Sequence, residues 1–205
     1  MKVLLINGSP RPEGNTRRAL DEVASVLKSH GIETETIWIG NKPIQGCIAC
    51  YKCKETGVCI FNNGLYKEIR EKLEDTDGIV IGSPTYYAGV PGPLCSLLDR
   101  LFFSSGNLLK GKPGASVGVA RRAGAVDVVQ RLNLYYEISS MPVVTSQYWN
   151  LVYGLLPNEV EQDAEGMQTM RTLGHNMAQL LYSLSNVDSR IDIVQEPFVR
   201  TNFIR

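Results

Sequence analysis

The chain has 205 residues, 43% of them hydrophobic and 20% charged, with 21 basic residues against 21 acidic ones and a formal net charge of zero. That length suits one well-cored domain carrying at most a short arm. The balanced charge argues against a nucleic-acid or anionic-membrane partner, and no apolar run is long enough to span a bilayer.

In chain order, Met1-Lys2-Val3-Leu4-Leu5-Ile6-Asn7-Gly8 opens with too short an apolar run for a signal peptide, and Val3–Asn7 reads as a buried first strand. A cytoplasmic location is expected, where clustered cysteines favour metal or redox roles over structural disulfides. Ala19, Leu20, Val23, Ala24, Val26 and Leu27 recur at helical spacing from Asn15 to His30, and Gly31 stops that helix. Glu33–Ile39 alternates like a second strand, and a cysteine-bearing segment follows it. Helices are expected at Leu65–Leu73, Leu94–Phe103 and Val126–Ile138, and from about Asp163 to Leu184. Further strands are expected at Gly78–Gly82, Ala115–Ala120 and Pro142–Ser146.

Strands alternating with helices imply an α/β, doubly wound parallel sheet. Five strands favour the flavodoxin-like order 2-1-3-4-5, with a ligand crevice at the carboxyl ends of strands one and three. Residues 1–185 form the expected domain, with 47–59 a cysteine-rich insertion, and 186–205 a C-terminal tail packed on the body or on a partner subunit.

Two loops face that crevice. Gly8-Ser9-Pro10-Arg11-Pro12-Glu13-Gly14-Asn15-Thr16 runs from strand to helix, with Ser9 and Thr16 supplying hydroxyls, Arg11 charge, and Gly14 close backbone approach. A helix N-terminus so equipped binds a phosphate, although Asn15 also suits a plain N-cap. The loop is neither a nucleotide P-loop nor a dinucleotide fingerprint, and it lacks a phosphatase cysteine. After strand three, Ser83-Pro84-Thr85-Tyr86-Tyr87-Ala88-Gly89-Val90-Pro91-Gly92 offers aromatic walls for a flat ring.

These two motifs resemble those of the flavodoxin-like NAD(P)H-dependent FMN reductases, over Met1 to about Leu184. The resemblance implies FMN, with its phosphate on Ser9, Arg11, Gly14, Asn15 and Thr16, and its ring on Pro84, Thr85, Tyr86, Tyr87 and Gly89. It also brings a third loop, Ala120-Arg121-Arg122-Ala123-Gly124, to the ring's pyrimidine side; Arg121 and Arg122 read equally as solvated surface charges. Hydride transfer to flavin needs orientation rather than an acid–base pair, so no catalytic residue is expected.

Four of the five cysteines, Cys47, Cys50, Cys53 and Cys59, follow the spacing C-x2-C-x2-C-x5-C. This resembles the iron–sulfur flavoprotein branch, which implies a [4Fe–4S] cluster on these four residues. The thiols also admit a reduced, unliganded state and, after that, zinc. Cys95 reads as a small buried hydrophobe, His30 as a helix C-cap, His175 as a packing or surface residue, and Asp163 as a helix start. Tyr148 and Trp149 are candidates for capping the site or filling a subunit interface.

The expected activity is FMN-dependent oxidoreduction between a small-molecule donor, NAD(P)H or a small carrier, and a small acceptor, by a homodimer or homotetramer. The alternatives are an electron carrier or redox sensor without nicotinamide turnover, and a zinc-stapled interaction protein.

Overall fold

The computed structural model describes residues 1–186 and positions 196, 197, 199 and 201. The tail expected over 186–205 therefore lies almost wholly outside the described residues. Five parallel strands, β1 (Lys2–Asn7), β2 (Glu33–Trp38), β3 (Gly78–Pro84), β4 (Gly114–Ala120) and β5 (Leu151–Tyr153), form one sheet in the order β2-β1-β3-β4-β5. The helices are α1 (Asn15–Ser29), α2 (Cys53–Thr56), α3 (Gly64–Glu74), α4 (Gly92–Ser105), α5 (Ala125–Ile138) and α6 (Ala164–Ser185).

Strand alternation explains the layering. Val3, Leu5 and Val80 face α1 and α6, in a core with Leu20, Leu27, Met170 and Leu173. Leu4, Ile6, Ile79 and Ile81 face the other way, onto α3, α4 and α5, where Ile69, Leu97, Leu101 and Leu132 pack. Both faces are covered, which is why β1 and β3 read as continuous apolar runs rather than alternating ones.

The fifth strand is a correction. It forms at Leu151–Tyr153, paired with Gly118–Ala120, and not at Pro142–Ser146. Residues 142–146 lie along the same sheet edge but make only one isolated bridge, Gly114 to Val143. Pro142 offers no N–H to the ladder, and Ser140 before it turns at φ 55°. The chain then leaves the edge, carries Tyr148 and Trp149 outward, and rejoins at Asn150, whose carbonyl accepts from Gly118 N–H at 2.9 Å.

Helix ends follow local chemistry. Asp163 caps α6, its carboxylate accepting from Gly166 N–H at 2.9 Å, and His30 caps the end of α1. Helices α1 and α6 are tied by Glu22, which accepts from Arg18 at 2.9 Å and from Arg171 at 2.8 Å. Burial opposes ionisation of Glu22, but the two guanidinium groups outweigh it and hold the carboxyl below its usual range. A depressed folded pKa stabilises above the unfolded value and is lost as pH falls through the folded one. Glu22→Gln should therefore lower the melting temperature at pH 7. The difference from the parent chain should close as the solution is acidified below the ordinary glutamate pKa, as followed by circular dichroism. A constant gap down to strongly acidic pH would show that the ion pairs do not supply it.

Candidate functional site

Strands β1, β3 and β4 run parallel, so the loops that follow them emerge at one edge of the sheet. The first loop is held from beneath. Asn7 is fully buried; its Oδ1 accepts from Ser9 N–H at 3.1 Å, and its Nδ2 donates to Pro12 O at 3.2 Å. Gly8 N–H donates to Gly82 O at 2.8 Å, and a Cβ at Gly8 would stand 2.9 Å from that backbone oxygen and closer still to Leu94, so a side chain there would force a shift. Ser9 Oγ accepts from Arg11 N–H at 3.1 Å, while Trp38 Nε1 donates to Ser9 O at 2.7 Å.

Gly14, not Asn15, is the N-cap of α1, and no side chain caps this helix. The first-turn N–H groups are thereby left for an anion. The Asn15 amide instead donates to Leu156 O at 2.9 Å, and its Oδ1 is buried without a partner. Glu159 fixes that neighbouring segment by accepting from Leu155 and Leu156 N–H at 2.7 and 2.8 Å, bonds that hold its carboxyl below the usual range. Thr16 is buried at the base of the loop and Arg11 is exposed at its rim.

The second loop is a tight turn. Tyr86 and Gly89 exchange two backbone hydrogen bonds, each 2.9 Å, across Tyr87 at φ 50° and Ala88 at φ 57°. Two consecutive left-handed residues without glycine are disfavoured and make this turn a site of local backbone strain. It presents Tyr87 fully to solvent and Tyr86 half exposed. Thr85 anchors the turn to β4, with both N–H and Oγ1 donating to Val119 O at 2.8 and 3.0 Å. The third loop closes against it: Gly124 sits at φ 83°, and a Cβ there would be 2.9 Å from Ala88 Cα. Arg121 and Arg122 are exposed and, among the described residues, make no ion pair; Arg121 lines a cleft with Tyr153, Gly154, Leu155 and Glu159. The expected residues of all three loops therefore stand at one sheet edge.

The cysteine segment leaves the same edge, from the carboxyl end of β2. Ala49 at φ 53° and Tyr51 at φ 59° turn the chain on either side of Cys50, and Gly57 at φ 72° ends the single turn of α2. Cys47, Cys50, Cys53 and Cys59 all line one narrow cavity, together with Ile48, Phe61 and Arg100. Burial raises the Cys53 thiol pKa, with Lys54 opposing and Cys59 and Cys47 adding to the rise. Among the described residues no three such side chains stand close enough to hold a single metal ion. Four cysteines around one cavity are the donor set that an iron–sulfur cluster takes.

Cys95 is half-buried in α4, its thiol pKa raised by burial, and lies apart from this cavity. His175 meets His30 at the surface, ring nitrogens 2.8 Å apart. Sequence reading missed Asn7, Trp38 and Arg100. Asn7 was signalled by an amide ending an apolar strand, and Arg100 by a charge three residues after Leu97, on the buried face of its helix.

The sheet order and flanking helices define a flavodoxin-like α/β protein. The fold is shared with RosB, solved with 8-demethyl-8-formylriboflavin-5′-phosphate, at a TM-score of 0.70 and 17% identity, covering 100% of this chain and 96% of that one. An archaeal flavodoxin matches at a TM-score of 0.60 and 17% identity, over 89% of this chain and 99% of that one. Residues 1–155 match the family model described as NADPH-dependent FMN reductase, and the chain belongs to that family of flavoprotein oxidoreductases. It is similar to an iron–sulfur flavoprotein of Methanocaldococcus jannaschii, 37% identical over 189 residues, covering 88% of this chain and 97% of the relative. An iron–sulfur flavoprotein of Methanosarcina thermophila is 32% identical over 185 residues, covering 88% and 95%. The branch suggested by the cysteine spacing is thus the one its relatives occupy. No helix among the described residues is long and apolar enough to cross a membrane.

Proposed function

We propose that this protein is a cytoplasmic FMN-dependent oxidoreductase that takes electrons from NAD(P)H or a small carrier and delivers them to a small acceptor. In this reading the cysteine segment holds an iron–sulfur cluster. The observation that carries the reading is the common origin of the three crevice loops and the cysteine segment at one edge of the sheet, with all four thiols lining one cavity.

Ser9, Arg11, Gly14, Asn15 and Thr16 would hold the FMN phosphate. Pro84, Thr85, Tyr86, Tyr87 and Gly89 would flank the ring, and Ala120, Arg121, Arg122 and Gly124 would stand at its pyrimidine side. Bound FMN supplies two-electron chemistry. A cluster on Cys47, Cys50, Cys53 and Cys59 would supply single-electron transfer. The chain's own part is to orient the ring against the Tyr86–Gly89 turn and to set a positive potential beside it with Arg121 and Arg122. The uncapped start of α1 would bind the phosphate.

Anaerobic mixing with NADH or NADPH should bleach the flavin absorbance within seconds if nicotinamide is the donor. Flavin that both nicotinamides leave oxidised, but that a small reduced carrier bleaches, would make the protein an electron-carrier partner instead. The pair Tyr148 and Trp149, both more than half exposed with ring centroids 5.0 Å apart, supports a homodimer or homotetramer. Light scattering should return two or four chain masses; a single chain mass at micromolar concentration would reject the assembly.

A further inference from the structure

Arg100 is only 4% exposed, and arginine cannot shed its charge inside a protein. Its Nη1 donates to Gln45 O at 3.0 Å and its Nη2 to Phe61 O, the carbonyls on either side of the cysteine segment. The rings of Tyr66 and Phe61 cover it at 4.7 and 5.6 Å. Its Nε is buried without a partner.

Among the described residues no carboxylate pairs with Arg100. The adjacent Asp99 is engaged elsewhere, with Arg131 at 3.7 Å and the Tyr135 hydroxyl at 2.5 Å. Two carbonyls and two aromatic faces solvate the guanidinium but do not balance its charge. A buried, unbalanced cation is costly, and a nearby anion lowers that cost further than carbonyls and aromatic faces do. The cavity that Arg100 lines is the one lined by all four cysteines. Neutral thiols bring no negative charge, whereas four thiolates around an iron–sulfur core carry a net negative charge in both oxidation states.

We infer that Arg100 is the buried counter-ion of an anionic iron–sulfur group held by Cys47, Cys50, Cys53 and Cys59, and that it raises the reduction potential of that group. The inference rests on the iron–sulfur reading above. On reduction the group gains one electron and becomes more negative, so a fixed cation beside it stabilises the reduced form more than the oxidised one. The competing role is a mechanical clasp: Arg100 would merely pin the two ends of the segment through Gln45 and Phe61.

The test separates charge from clasp. Wild-type protein and the Arg100→Gln and Arg100→Lys variants are purified without oxygen and reconstituted with iron and sulfide. They are then titrated with dithionite and mediators, with FMN content measured as the control for folding. Gln can still donate to one of the carbonyls; should it fail to retain FMN, Arg100→Met takes its place. The neutral variant should shift the reduction equilibrium at least tenfold against reduction, 59 mV for one electron. The Lys variant should stay within tenfold of wild type. Loss of iron from the neutral variant alone, with wild type and Lys both loaded, also supports the counter-ion. A neutral variant within tenfold of wild type overturns it, as does a Lys variant that shifts or loses iron as far as the neutral one. Wild-type protein that carries FMN but takes up no iron overturns the iron–sulfur reading itself, and this inference with it.

Discussion

Arg11→Ala combined with Thr16→Ala is expected to weaken FMN binding by about 2–4 kcal/mol, taking charge-assisted hydrogen bonds at roughly 1.5–3 kcal/mol each. That is a rise in Kd of roughly thirty- to nearly a thousand-fold. Arg11 is exposed at the rim and Thr16 is buried at the base, so the pair samples both the charge and the floor of the loop. Riboflavin supplies the control, since it carries the ring without the phosphate. Its affinity should be nearly the same in wild type and double variant, as read by quenching of flavin fluorescence on titration into apoprotein. Unchanged FMN affinity would falsify the phosphate assignment. So would an equal loss for riboflavin, which would mean that the variant had deformed the crevice.

The second large effect concerns iron. Alanine at any one of Cys47, Cys50, Cys53 or Cys59 should strip most of the iron from anaerobically purified protein and bleach the broad absorbance beneath the flavin bands. FMN should stay bound, because the flavin loops rest on β1, β3 and β4 and share no hydrogen bond with the four cysteines. Cys95→Ala serves as the internal comparison. Among the described residues its thiol bonds only to Val90 O, at 3.8 Å, so this variant should keep its iron. Iron that survives each of the four substitutions, or that disappears with Cys95, would refute the ligand set. Zinc in place of iron would instead recover the stapled reading.

Much of the fold was legible because its physics is local. The core strands β1 and β3 are covered on both faces and announce themselves as continuous apolar runs, and α1 and α6 as periodic ones. The phosphate-sized loop was legible because glycine, hydroxyl and charge fall between a strand and a helix start. The fifth strand was not legible. Val143, Val144, Leu151 and Val152 are equally suited to a strand, and which pair aligns with β4 depends on where Pro142 and the outward loop leave the edge. The capping of α1 was read through Asn15 because asparagine caps well in isolation. Its amide is drawn away by Leu156, more than a hundred residues on, which no local pattern encodes. Arg100 escaped for the same reason: its partners, Gln45 and Phe61, flank a segment far earlier in the chain.

The interrupted fifth strand has a bearing on how copies of the chain can associate. An open sheet edge is a template for another strand, and the N–H groups that point away from the sheet are its donors. In β5 these belong to Leu151 and Tyr153, since Gly154 N–H turns inward to Ala120 O at 3.0 Å. Leu151 N–H is already spent on Trp149 O at 2.7 Å, and Tyr153 N–H on the Asp163 carboxylate at 2.8 Å. Both donors of that rim are therefore taken within the chain, by the outward loop on one side and the cap of α6 on the other. A strand added at β5, whether as a swapped segment or as the start of a fibril, would find neither of these donors free and would have only the outward carbonyls to pair with. Assembly on that side therefore falls mainly to side chains.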